Sequence, residues 1–163
     1  MSGAFPESSR IPISESKAWA GSEAVYTAAY RDLLRVAFVL TGSGPAAEDV
    51  VHDVFAKVGP RIDTLAEPVA YLRVAVVNRC RSLHRRAVAA PRPDNPTDAM
   101  MDVELVELRD ALIALPIRQR SAIVLRYLCD LPEEEIAASL KCRRSTVRTL
   151  VRRGLADLRE VIR

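Results

Sequence analysis

The stretch LPEEEIAASLKCRRSTVRTLVRRG, Leu131 to Gly154, decides the fold. Pro132, Glu133, Glu134 and Glu135 place a block of carboxylates in the first turn of a helix, where the macrodipole favours negative charge. Ile136, Ala137 and Leu140 follow at helical spacing, then a short break, then Val147, Leu150 and Val151. A small residue in the first helix lets a second one approach. Cys142, a small hydrophobe, falls at the turn, and the later apolar residues pack back; this is the spacing of a helix-turn-helix. With those residues inside, Arg144, Ser145, Arg148, Thr149 and Arg152 point outward. The three arginines recur every four residues along one ridge, suited to guanine edges and phosphates in the major groove. Lys141, Arg143 and Arg153 are better placed for phosphates alone. The competing readings are a solvated basic helix and a membrane-surface helix. The second finds no bulky aromatic to enter lipid.

Outward from this motif the chain reads as all-α. Tyr26, Tyr30, Leu33, Ala37 and Leu40 form a helical stripe, and Thr41-Gly42-Ser43-Gly44 breaks it. Pro45 opens a second helix, closed by Gly59-Pro60. Pro68 opens a third, with Val69, Leu72, Val76, Cys80 and Leu83 on one stripe and Asn78, Arg81 and Arg85 on another face. Three prolines between Pro91 and Pro96, with no apolar period, then suggest an extended linker. No alternating strand pattern appears. The expected organisation is a loose tail over 1–20 with Trp19 at its edge, a helical half over 21–88, a flexible linker over 89–101 and a second helical half over 102–163.

The composition fits this. In 163 residues, hydrophobic residues make up 49% and aromatics only 5%, so two small helical cores are affordable without strands. The net charge of +3 is unevenly spread. Acids gather at Glu48, Asp49 and Asp53, while Arg79–Arg92 and Lys141–Arg153 contain none, which suggests a polyanion touched in two places. Residues 1–20 lack a basic start followed by an apolar stretch, so no secretory leader is expected. The longest apolar run, Val36 to Leu40, is far too short to cross a bilayer. Cys80, Cys129 and Cys142 have no close pairing, and His52 and His84 lie far from them. A metal site, a cofactor and a disulfide are therefore not expected, and reduced thiols in the cytoplasm are. No carboxylate pair or glycine-rich phosphate loop at useful spacing supports an enzyme. A helix-turn-helix alone admits many regulators, a free-standing repressor among them.

Three motifs narrow the choice: AEDVVHDVFAKV (Ala47–Val58), EPVAYLRVAVVNRCRSLHRR (Glu67–Arg86) and ALPIRQRSAIVLRYLCDLPEEEIAASLKCRRSTVRTLVRRGLADLR (Ala114–Arg159). In this order the chain resembles a bacterial RNA polymerase sigma factor of the compact extracytoplasmic-function (group IV) class, over about 23–88 and 102–162. The resemblance implies a promoter-specificity factor without catalytic activity, whose partners are core RNA polymerase, through its clamp coiled coil and flap, and promoter DNA. Asp49, His52 and Asp53 would form an exposed polar set on the clamp-binding helix. Asn78 stands where the family carries an Asn. It would take a base of the single-stranded minus-ten element while Arg79, Arg81, Arg85 and Arg86 hold the backbone. The Arg144 ridge would read the duplex minus-thirty-five element. The class also brings an anti-sigma protein as a candidate partner over the same faces. The chain departs from the family pattern at His52 (usually Gln), Ser82 (often Asp), Pro132 (often Ser or Thr) and Lys141 (often Gly).

Overall fold

The computed structural model describes residues 20–86 and 102–163, with side chains from residue 23 onward. The expected linker and nearly all of the expected tail, Trp19 included, lie outside the described residues. Among the described residues every regular element is helical.

The N-terminal half holds α1 (Ala20–Thr41), α2 (Gly44–Val58), a 3-10 turn (Gly59–Thr64) and α3 (Pro68–Arg86). Gly42 ends α1 with φ 77°, a left-handed conformation glycine adopts without strain, and its N–H bonds to Phe38 O at 2.8 Å. Ser43 then caps α2, accepting from the Ala46 N–H, and Pro45 occupies the first turn. Val50, Val51, Val54, Phe55 and Val58 of α2 are buried against α1, with Leu72, Val76, Val77 and Cys80 of α3. Two ion pairs tie α3 to its neighbours: Arg73 to Asp32 of α1 at 2.7 Å and Arg79 to Asp53 of α2 at 2.8 Å.

The C-terminal half holds α4 (Val103–Ile113), α5 (Ile117–Ile123) running on as a π-turn (Val124–Leu128), α6 (Glu133–Leu140) and α7 (Arg144–Ile162). Asp102 caps α4 by accepting from the Glu104 N–H. The turn between α6 and α7 is a Schellman motif. Lys141 is left-handed at φ 51°, its N–H reaches Ala138 O, and the Cys142 N–H reaches Ala137 O at 3.0 Å. Helix α7 crosses α5 at Gly154, where a Cβ would stand 2.6 Å from the Ile123 side chain.

The two halves do not stand apart. Helix α4 packs along α1, α5 touches α3, and a single hydrophobic cluster runs through both halves. Val36 to Leu40, five consecutive residues, are all buried, because α1 is covered on one side by α2 and α3 and on the other by α4. Small separate cores joined only through a linker would have left one face of α1 open.

At the centre of this junction is Arg120, 2% exposed. Its guanidinium donates to Leu40 O at 2.6 Å, Ile113 O at 3.1 Å and Leu115 O at 2.9 Å. Leu40 and Ile113 lie in the last turns of α1 and α4, where carbonyls lack helical partners and the dipole is negative. One arginine thus caps two helices, one from each half. Beside it, Arg109 of α4 lies 5.1 Å from the centre of the Phe38 ring and donates to Gly42 O at 3.5 Å.

Candidate nucleic-acid interface

Two basic surfaces emerge, one on each half. On α3 the buried stripe turns Asn78, Arg85 and Arg86 to solvent, with Arg79 and Arg81 half-buried. Asn78 and Arg79 line a groove of about 440 Å³ with Asp53, Lys57, Arg61 and Tyr71. Tyr71 is exposed, and the Arg61 guanidinium lies 5.3 Å from its ring centre while donating to its hydroxyl. An amide, an aromatic face and several cations around one groove form a setting in which an unstacked base and its phosphates can be held. Arg61 and Lys57 are additions to the expected set. They come from the α2 end and the 3-10 turn, whose fold toward α3 no local pattern announces.

The expected clamp-binding set is divided by the structure. Asp49 is exposed on α2, as expected. His52 and Asp53 are half-buried. The His52 ring stacks on Tyr30 at 6.1 Å, and Asp53 is engaged by Arg79. Asp53 and Arg79, assigned from sequence to different partners, therefore hold each other.

On α7, Val147 and Val151 are buried and Leu150 is half-buried, so the helix-turn-helix packs as its spacing predicts. Arg143, Arg144, Ser145, Arg148, Arg152, Arg153 and Lys141 are exposed. Thr149 is half-buried and turns its hydroxyl back to Ser145 O at 3.1 Å. The carboxylates of α6 do more than meet the helix dipole. Glu133 accepts from Arg148 Nε at 2.8 Å and lies 3.4 Å from Arg144 Nε, and Glu134 pairs with Arg144 at 3.1 Å. The hydrogen bond from Arg148 holds the Glu133 carboxyl below its usual range despite the opposing effect of burial. The ridge continues into a groove of about 430 Å³ lined by Arg126, Tyr127, Arg148, Arg152 and Arg159. Arg126 and Tyr127 belong to the π-turn, so helical spacing alone would not place them beside α7.

The two surfaces meet. The Ser139 hydroxyl of α6 donates to Asn78 Oδ1 at 3.1 Å, and Arg81 Nη1 donates to Ser139 O at 3.3 Å. Burial lowers the Arg81 pKa, and Arg85 and Arg118 lower it further, so cations from both halves crowd this edge. The Cys80 and Cys129 thiols are both buried and pushed up to about 12, chiefly by desolvation. Among the described residues, no group of three or more His, Cys, Asp or Glu could hold a metal, and no helix is long and apolar enough to cross a membrane.

Comparison with known proteins gives two family matches, Sigma-70 region 2 over residues 25–89 and Sigma-70 region 4 over 105–158. An RNA polymerase sigma-E factor of Streptomyces coelicolor is 32% identical over 139 residues, 78% of this chain and 78% of that protein. The RNA polymerase sigma-E factor of Streptomyces antibioticus is 32% identical over 126 residues, 70% of this chain and 69% of the relative. Among solved structures, the sigma factor RpoE in complex with the anti-sigma factor NepR from Bartonella quintana superposes with a TM-score of 0.68 at 22% identity. That match covers 87% of this chain and 96% of the other. The extracytoplasmic function sigma factor SigJ of Mycobacterium tuberculosis gives 0.64 at 24%, over 83% and 53%.

Proposed function

This chain belongs to the sigma-70 family of RNA polymerase sigma factors, and on that premise we propose how its surfaces divide the work of promoter recognition. It is an alternative sigma factor that directs promoter-specific initiation with core RNA polymerase. Residues 21–88 act as region 2 and 102–163 as region 4, joined by 89–101 and preceded by a tail over 1–20. Asp49, with His52 and Asp53 behind it on the same helix, faces the polymerase clamp. Asn78 takes a base of the minus-ten single strand, and Arg79, Arg81, Arg85 and Arg86 line the path of its phosphates. Arg144, Ser145, Arg148, Thr149 and Arg152 read the minus-thirty-five duplex from the major groove, with Lys141, Arg143 and Arg153 on phosphates. The protein works in the cytoplasm as a binding factor without catalysis of its own. An anti-sigma protein is a further candidate partner, since the Bartonella relative was solved with one.

The observation that carries this reading is the pairing, in one short chain, of an Asn-centred groove on α3 with an arginine ridge on a helix-turn-helix. The test is run-off transcription by core polymerase plus this protein over a genomic promoter pool. Initiation from one promoter class is expected, with core binding weakened by Asp49→Arg. Initiation nowhere, together with unchanged core binding by that variant, refutes the reading.

A further inference from the structure

We propose that Glu133, on the helix before the reader, is a specificity-determining residue of the duplex interface. It fixes the guanidinium of Arg148 so that the two terminal nitrogens are presented to one guanine, and without it the ridge grips duplex of any sequence. The inference rests on the assignment of α7 to the minus-thirty-five element given above, and it divides arginines which that assignment treats alike.

The arginines of α7 are held in three different ways. Glu133 accepts from Arg148 Nε at 2.8 Å. The same carboxylate oxygen lies 3.4 Å from Arg144 Nε, and Arg144 Nη2 pairs with Glu134 at 3.1 Å. Among the described residues, Arg152 and Arg153 pair with no carboxylate.

This difference decides what each can do. A guanidinium whose Nε alone is taken keeps both terminal nitrogens, the pair that meets O6 and N7 of guanine. Arg148 is in this state. Its side chain is 64% exposed and that of Glu133 only 17%, so the anchor is sunk at the foot of the ridge and the tip stands clear. Arg144 divides Nε and one terminal nitrogen between two carboxylates. One wholly free terminal nitrogen remains to it, enough for a phosphate or a single acceptor. Arg152 and Arg153, with no carboxylate to fix them, lose rotamer freedom in any contact and are as well placed on a phosphate as on a base.

The anchor is rigid because the core sets its place. Glu133 opens α6, and Arg148 lies in the second turn of α7. The two helices are joined at left-handed Lys141 and packed through Ile136, Ala137, Leu140, Val147 and Val151, all buried. The Arg148 hydrogen bond is also the chief reason the Glu133 carboxyl lies below its usual range, so the anchor is ionised at neutral pH. Glu133 repels phosphate and so weakens binding to duplex of every sequence. It strengthens binding only where a guanine meets Arg148, and both effects act toward discrimination.

Holoenzymes carrying wild type, Glu133→Gln, Glu133→Asp, Arg148→Ala and the double variant Glu133→Gln/Arg148→Ala are compared by run-off transcription. The templates change each base pair of the minus-thirty-five element in turn. Arg148→Ala should flatten the preference for guanine at one position by about tenfold. Glu133→Gln should flatten that same position several-fold and leave the others, while the full chain alone binds unrelated duplex more tightly at low salt. Glu133→Asp, with its carboxylate on a shorter arm, should recover part of the preference, and it carries the test if the glutamine variant fails to fold. The double variant should be no flatter than Arg148→Ala. If wild type shows no preference anywhere in the element, the reading of α7 itself fails. If wild type discriminates and Glu133→Gln keeps the Arg148-dependent preference, or loses preference evenly at every position, the role of Glu133 is overturned. Additive losses in the double variant overturn it too, because Glu133 would then act independently of Arg148.

Discussion

Substituting Arg120 by leucine tests the junction where its energy is concentrated. The guanidinium satisfies Leu40 O, Ile113 O and Leu115 O from a position that is 2% exposed. Leucine fills part of the space and donates nothing. A buried carbonyl left without a donor costs about 1–3 kcal/mol, and some of the three will recover a water as the halves loosen, so the loss should be about 3–5 kcal/mol. A domain of this size loses about 2–4 °C per kcal/mol, which places the fall in melting temperature at about 10–15 °C. Denaturant unfolding and thermal melting followed by circular dichroism measure both quantities. Arg120→Lys keeps a charge and donors on a shorter reach and should recover part of the loss. The loss should hardly vary between neutral and mildly acidic pH, because a guanidinium stays charged throughout. A loss under ~1 kcal/mol would refute the reasoning. It would mean that the three carbonyls find equivalent partners without Arg120, and that the halves are held by apolar contact alone.

Lys141→Gly should stabilise the protein by about 1 kcal/mol, since a residue with a Cβ in the left-handed region costs ~1–2 kcal/mol there and glycine returns part of that in chain entropy. A fall in melting temperature would contradict the Schellman geometry. Glu133→Gln should release Arg144 and Arg148, so that binding to non-specific duplex tightens at low salt while discrimination among minus-thirty-five sequences weakens. Unchanged binding and discrimination would remove Glu133 from the recognition surface. The Glu133 carboxyl is held below its usual range, so its stabilising contribution is present above the unfolded-state value of about 4.3 and is lost as pH falls through the folded-state value. The stability difference between wild type and Glu133→Gln should therefore shrink toward zero in acid, and a difference that grew there would reverse the assignment.

What the sequence discloses about each half is local, and what it conceals is the contact between them. Helical spacing places Val147 and Val151 inside and the Arg144 ridge outside, because every residue concerned lies within a few turns of the others. Asn78 reaches solvent for the same reason. His52 is the counterexample. Its spacing puts it beside Asp49 on an outer face, but Tyr30 of α1 comes over it, and no periodicity in α2 reports what α1 carries. The carboxylates at Glu133 and Glu134 satisfy a helix dipole and also pair with Arg144 and Arg148 of the next helix, and the first role is sufficient to hide the second.

Two marks of the junction are nevertheless present in the letters. Val36 to Leu40 is apolar at every position, and a helix hydrophobic all round is one covered all round. Helices α2 and α3 can cover only part of α1, so the run requires a third neighbour, which the structure supplies as α4. Arg120 stands between Ile117 and Val124 at inward spacing on α5, where a cation is tolerated only if several oxygens converge on it. The end of α5 alone cannot supply them. The ends of α1 and α4 can, and only when the two halves are together. A chain whose sole task was to hold two readers apart would place a solvated side chain at both positions. The burial of a continuous apolar run, and of a guanidinium seated on carbonyls at the ends of α1 and α4, marks this junction as a built contact between the two halves.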